Sequence, residues 1–212
     1  MIYMPKSDNM IPLATKRATH TGNPKNQIIE VPGGEFFFMV KGNAIEGDEV
    51  PLAVDVQFPW EDSPRRYHNE VLQVSTIFVD KYPVTNSHYK YFLVASNYTP
   101  PISDQNWLRH WTGEGEDFFY PQGFENKPVV WVSHSDASAY CHFYGQRLPH
   151  SWEWQWFAQG TDERPWPWGY EDPDESRMPV FSNAPGVMPA PDDVDVHPLG
   201  ASWAGKAGIL SH

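Results

Sequence analysis

The sequence predicts an irregular, loop-rich α+β domain with short sheets and two or three buried helices. Three observations lead there. Runs at 28–39 and 71–80 are rich in β-branched and aromatic residues, which suit half-buried strands. Stretches starting near 86, 134 and 151 follow capping residues and carry apolar side chains at helical spacing. The 21 prolines, 15 glycines and 10 tryptophans, against 20% charged residues, describe loops pinned by aromatic rings rather than long helices. A chain of 212 residues buries a sizeable core as one domain.

Taken in order, residues 1–27 are polar and aperiodic, with Lys6, Lys16, Arg17 and Lys25 scattered through them, and read as a flexible leader. At 28–39 a strand, a Pro-Gly-Gly turn and an aromatic strand predict a hairpin. Residues 42–70 read as a long acidic loop around Trp60 and Arg65-Arg66, and 71–80 as one core strand. Thr85 or Asn86 then caps a helix whose Tyr89, Phe92 and Leu93 form an i, i+3, i+4 stripe. The loop at 99–126 carries Trp107, Trp111, Phe118, Phe119 and Tyr120, which should tuck it onto the body. Pro128 enters a short strand at 129–132 with both faces covered.

Ser133 and Asp136 make a capping box, followed by the stripe Ala137, Tyr140, Cys141, Tyr144 and a stop at Gly145. The third helix, 151–159, holds Trp152, Trp154, Trp156, Phe157 and Ala158, so it should be almost wholly buried. Beyond Gly169 the chain turns acidic and proline-rich.

Composition also excludes. A net charge of −12 opposes nucleic-acid and anionic-membrane binding, both of which need a cationic face. No apolar run approaches the ~20 residues of a membrane span. The N-terminus lacks an apolar signal-peptide region, which favours a cytoplasmic location. A single cysteine, Cys141, rules out an internal disulfide or a multi-cysteine zinc site.

Among candidate site residues, Cys141 sits mid-helix on an apolar stripe, which points to a structural role. Arg147 and Glu153 are placed to form a buried ion pair bracing two helices. Trp154 and Trp168 read as packing residues, and Trp166, Pro167 and Trp168 could also wall a peptide or sugar site. His134, His142 and His150 recur every eight residues, which is not the i, i+4 geometry of a helical metal site. Asn183, Asp192, Asp193 and Asp195 offer the oxygen donors a hard cation such as calcium takes.

Three blocks in order then carry a resemblance. They are V-P-G-G-E-F at 31–36, V-D-K-Y-P-V-T-N at 79–86, and a long block from 128 to 169. The long block holds P-V-V-W-V-S, D-A-S-A-Y-C, G-Q-R-L-P, E-W and P-W-G. Together they resemble the formylglycine-generating enzyme, or sulfatase-modifying factor, domain family over 28–202.

The resemblance implies a mixed, loop-rich fold with kinship to C-type lectins, and a peptide or protein substrate. The family reaction it implies is oxygen-dependent oxidation of a peptidyl cysteine to formylglycine, with copper held between two C-terminal cysteines. Cys141 matches the helical cysteine rather than that pair, so the chain alone is expected to be inactive. Structural calcium is implied at Asn183 and Asp193, with Asp192 beside them. His150 stands where a threonine cap is usual, leaving that role to Ser151.

Two alternatives stand: an accessory domain of a non-haem-iron sulfoxide synthase, and a lectin-like ligand-binding module. After Ser202 the family pattern would continue into a G-N-V-W-E-W segment. Residues 203–212 match nothing in it, so 28–202 reads as a C-terminally truncated domain with a foreign tail and exposed apolar surface.

Overall fold

The computed structural model describes residues 2–3, 27–42, 66–101, 106–162, 164–178 and 191–207. Strand β1 is Ile2–Tyr3, β2 Ile28–Val31, β3 Gly34–Gly42, β4 Arg66–Val74 and β5 Ile77–Asp80. β3 pairs antiparallel with β4 from Gly34↔Val74 to Gly42↔Arg66, and β2 with β5 from Ile28↔Asp80 to Val31↔Ile77. Both ladders keep one offset, so they form a single antiparallel ribbon, bent where residues 32–33 face 75–76.

The bend has a local cause. Pro32 has no amide hydrogen to give to a ladder, and the Gly33 amide donates instead to Thr76 Oγ1 at 3.1 Å. A Cβ on Gly33 would lie 2.5 Å from the Val74 carbonyl oxygen, so only glycine passes there.

This corrects three expectations. The run at 28–39 does not fold back on itself; its partner is 66–80. The run at 71–80 is two strands, and residues 66–70 belong to β4 rather than to a loop. The misreading has one source: His68, Asn69 and Glu70 are all exposed, so the paired backbone there leaves no apolar alternation. The two-residue β1, also too short for any periodicity, lies between β5 and β6 (Gln146–Arg147). Ile2 and Tyr3, read as part of a flexible leader, are therefore sheet residues.

Helix α3, Ser151–Gln159, packs on the inner face of the bend. Trp156 meets Phe36 edge-on at 5.5 Å and donates its indole N–H to the Pro32 carbonyl at 3.1 Å. Val31, Phe36, Val74, Ile77, Val79, Phe157 and Ala158 complete this sheet-side core. Burying each large side chain of this kind contributes roughly 1.5–3 kcal/mol. α3 is not wholly buried: Trp152 and Trp154 are 38% and 44% exposed, because a single sheet face covers one side of the helix only. His150, not Ser151, is its N-cap, and the His150 amide donates to Glu153 at 2.8 Å.

A second core lies between α1 (Asn86–Ser96) and α2 (His134–Phe143). The Thr85 hydroxyl caps α1, and Ser133 with Asp136 closes the capping box of α2. Tyr89 stacks on Tyr140 at 5.8 Å, and Phe92 meets the same ring edge-on at 5.5 Å. Leu108 and Trp111 from the loop complete the buried set, with Trp107, Phe118 and Tyr120 packed against it.

Residues 129–132 are not a strand. Val129 and Val132 turn onto this aromatic core, while Trp131 takes φ +61° and points outward. The β-branched run packs on this core, and its backbone pairing amounts to a single bridge, where the Val129 amide donates to the Val84 carbonyl at 2.9 Å beside Thr85 and Pro128.

The described tail residues are integral. Trp203 and Ala204 pack against the sheet-side core. Trp203 meets Trp156 edge-on at 5.2 Å and donates to its carbonyl at 2.9 Å. Lys206 and Ala207 are buried, and the Ala207 amide donates to the Lys81 carbonyl at 2.8 Å. Pattern matching compares residue identities, whereas packing asks only for volume and a donor.

Candidate functional site

Cys141 lies on the inner face of α2 and is fully buried, and burial pushes its thiol up to about 11. At neutral pH it is a thiol rather than a thiolate, and a thiol is a poor nucleophile and metal ligand.

Arg147, on β6, and Glu153, in the first turn of α3, form a two-pronged ion pair at 2.7 and 2.6 Å. Burial raises the Glu153 carboxyl, but the Arg147 hydrogen bonds, the His150 amide and the Arg147 charge outweigh it and hold the group below its usual range. The pair orients α3 against the sheet. Trp154 touches Phe157 from the outer side of the helix. Trp168 stacks on Trp166 at 5.6 Å, with the rings 4° from parallel, and donates to the Glu171 carbonyl at 3.0 Å.

Of the residues read as cation ligands, Asn183 lies outside the described residues and Asp195 is half-buried. Asp192 is 2.8 Å from His197 Nε2, and Asp193 is 3.3 Å from the Lys127 ammonium. His134 opens α2, His142 lies in its last turn, and His150 caps α3. Among the described residues no three His, Cys, Asp or Glu side chains converge as metal ligands would.

Sequence reading missed two features. One is Asn86, which is buried and donates to the carbonyls of Phe124, Lys127 and Pro128 while accepting from the Trp111 indole. That hub ties the start of α1 to the loop at 124–128. Only its place in the V-T-N block signalled it.

The other is an exposed cluster around Trp131, which is 43% exposed. The Arg109 guanidinium lies 4.4 Å over its ring, and its indole N–H donates to His110 Nε2 at 2.7 Å. That contact makes Nε2 the acceptor and leaves the His110 proton on Nδ1. Partial burial and the Arg109 charge hold His110 below its ordinary pKa. Leu108 and Trp131, both with positive φ, are joined by a backbone hydrogen bond of 2.8 Å. Two non-glycine residues in that region cost about 1–3 kcal/mol each, so the surrounding packing holds this surface in place.

A model of the sulfatase-modifying factor enzyme 1-like domain matches residues 14–185. The chain belongs to that family. It is 31% identical over 147 residues to the uncharacterized protein YfmG of Bacillus subtilis, covering 67% of this chain and 27% of YfmG. Against the hercynine oxygenase of Mycobacterium tuberculosis it is 28% identical over 173 residues, covering 70% and 40%. Against the formylglycine-generating enzyme of Thermomonospora curvata it is 28% identical over 199 residues, covering 79% and 59%.

This sulfatase-modifying-factor domain thus spans between about a quarter and three-fifths of the length of these relatives. No described helix is long and apolar enough to cross a membrane.

Proposed function

We propose that this sulfatase-modifying-factor domain takes a peptide or protein ligand and does not oxidise it by itself. The observation that carries the reading is the state of Cys141. It is the one cysteine of the chain, it is fully buried, and its thiol is pushed up to about 11. Copper chemistry of the kind the family resemblance implies needs a pair of thiolates, and a single buried thiol does not fit it. What the described surface offers is recognition: the cation-stacked Trp131 with His110, and the paired rings of Trp166 and Trp168.

Relatives named formylglycine-generating enzyme support a cysteine-bearing peptide as the ligand class. Relatives named hercynine oxygenase support a second, weaker reading as the partner domain of an iron-binding portion.

The test uses the purified chain with peptides bearing the C-x-P-x-R motif and their serine counterparts. Tryptophan fluorescence should report saturable binding of both, and Trp131→Ala should weaken it. Mass spectrometry after incubation with copper and oxygen should show no aldehyde above free copper. An aldehyde abolished by Cys141→Ser, or no binding of either peptide, would overturn the proposal.

A further inference from the structure

The loop at 191–197 carries Asp192 and Asp193, the described carboxylates of the calcium site that the family resemblance implies. The described residues do not fit that ion. A hard divalent cation needs six to eight oxygens turned toward it. Here a carboxylate and a carbonyl of this loop already converge on a nitrogen. The Lys127 Nζ lies 3.3 Å from Asp193 Oδ1 and donates to the Pro191 carbonyl at 3.0 Å. It also lies 5.6 Å from the centre of the Phe124 ring. The second carboxylate, Asp192, faces His197 Nε2 at 2.8 Å.

We propose that the Lys127 ammonium is the resident cation of this loop, so that residues 191–197 dock without calcium. An ammonium is a compact positive charge with three donors, and Asp193 and Pro191 each face it. Being covalently attached, it needs no free ion, and docking does not depend on calcium concentration.

The lysine is held in position by its own backbone. Its carbonyl accepts from the Asn86 amide at 3.0 Å and from Asn86 Nδ2 at 3.0 Å. Next to it, the Asn126 carbonyl accepts from the Val194 amide at 3.1 Å, and Val194 is buried. The loop is therefore tied to the start of α1 through a side-chain contact and a backbone contact one residue apart.

The experiment compares thermal melts of the full chain in millimolar calcium and in chelator. Wild type should melt at the same temperature in both. Lys127→Met should melt about 2–4 °C lower in both, the scale of a half-exposed charge contact in a chain of this size. Lys127→Arg should recover part of the loss. If Lys127→Met does not fold, Asp193→Asn removes the same contact from the other side and should show the same shift. A wild-type melt raised by calcium and lowered again by Asp193→Asn would overturn the proposal. So would melts of Lys127→Met and Asp193→Asn indistinguishable from wild type.

Discussion

The domain has two cores, and they are held by different means. The sheet-side core is built on a ribbon whose partners lie far apart in sequence, with α3 and Trp203 laid over the bend. The helix-side core is a cluster of stacked and edge-on rings gathered from α1, α2 and the loop between them. In the first, register decides which side chains face inward. In the second, helical periodicity decides, and the Asn86 hub closes the loop onto it. The difference teaches that one small domain can draw its order from two separate sources, and that substitutions should sort by which source they touch.

The largest effect is expected in the helix-side core. Phe92 is buried against Tyr89, Tyr98, Tyr140 and Phe143. Phe92→Ala should cost about 4 kcal/mol in chemical denaturation. Val79→Ala in the ribbon should cost about 2 kcal/mol. If the cores are independent, the double variant adds within about 0.5 kcal/mol. A larger coupling would merge the two cores into one unit.

An effect of the same size as that of Val79→Ala concerns the tie between α3 and the sheet. Glu153→Gln should cost about 2 kcal/mol at neutral pH, less than a fully buried pair because Arg147 is partly exposed. The folded-state pKa of Glu153 is depressed. Its contribution is therefore complete above the ordinary glutamate range and is lost as pH falls through the folded value. Acid titration of stability should be steeper in wild type than in Glu153→Gln. Parallel curves would show that the pair does not brace the sheet side.

A pH-dependent effect is expected at Lys206, which donates to the carbonyls of Lys81 and Ala207. Burial lowers its ammonium to about 8, with the charge of Asp80 opposing the shift. The unfolded chain then binds more protons than the folded one between about 8 and the ordinary lysine value, so stability should rise with pH across that window. Lys206→Met should remove the rise. A rise that persists would assign it to another group.

The two cores were not equally readable from sequence. Both helical stripes and their caps follow from residues three and four apart, so Tyr89, Phe92, Tyr140 and the Ser133–Asp136 box were legible. The ribbon was not, because a partner offset by tens of residues leaves no local trace, and the exposed His68–Glu70 backbone hides β4. Arg147 and Glu153 were legible as a charge pair because they lie only six residues apart, on either side of the turn that leads into α3. Lys127 and Asp193 were not, because only the closed loop brings them together. Trp131 was misplaced because its β-branched neighbours imitate a strand.

The bent ribbon also bears on how the chain assembles. Positions 42 and 66 are 24 apart along the chain, whereas 28 and 80 are 52 apart. Closing the longer interval first would cost about 0.7 kcal/mol more in chain entropy than closing the shorter one. Pairing therefore favours starting beside Gly42 and Arg66 and zipping toward the bend. There Gly33 lets the same ladder continue around the corner, and the outer arm inherits its alignment from the inner one. β2 and β5 need not find each other by search; they are delivered already in step.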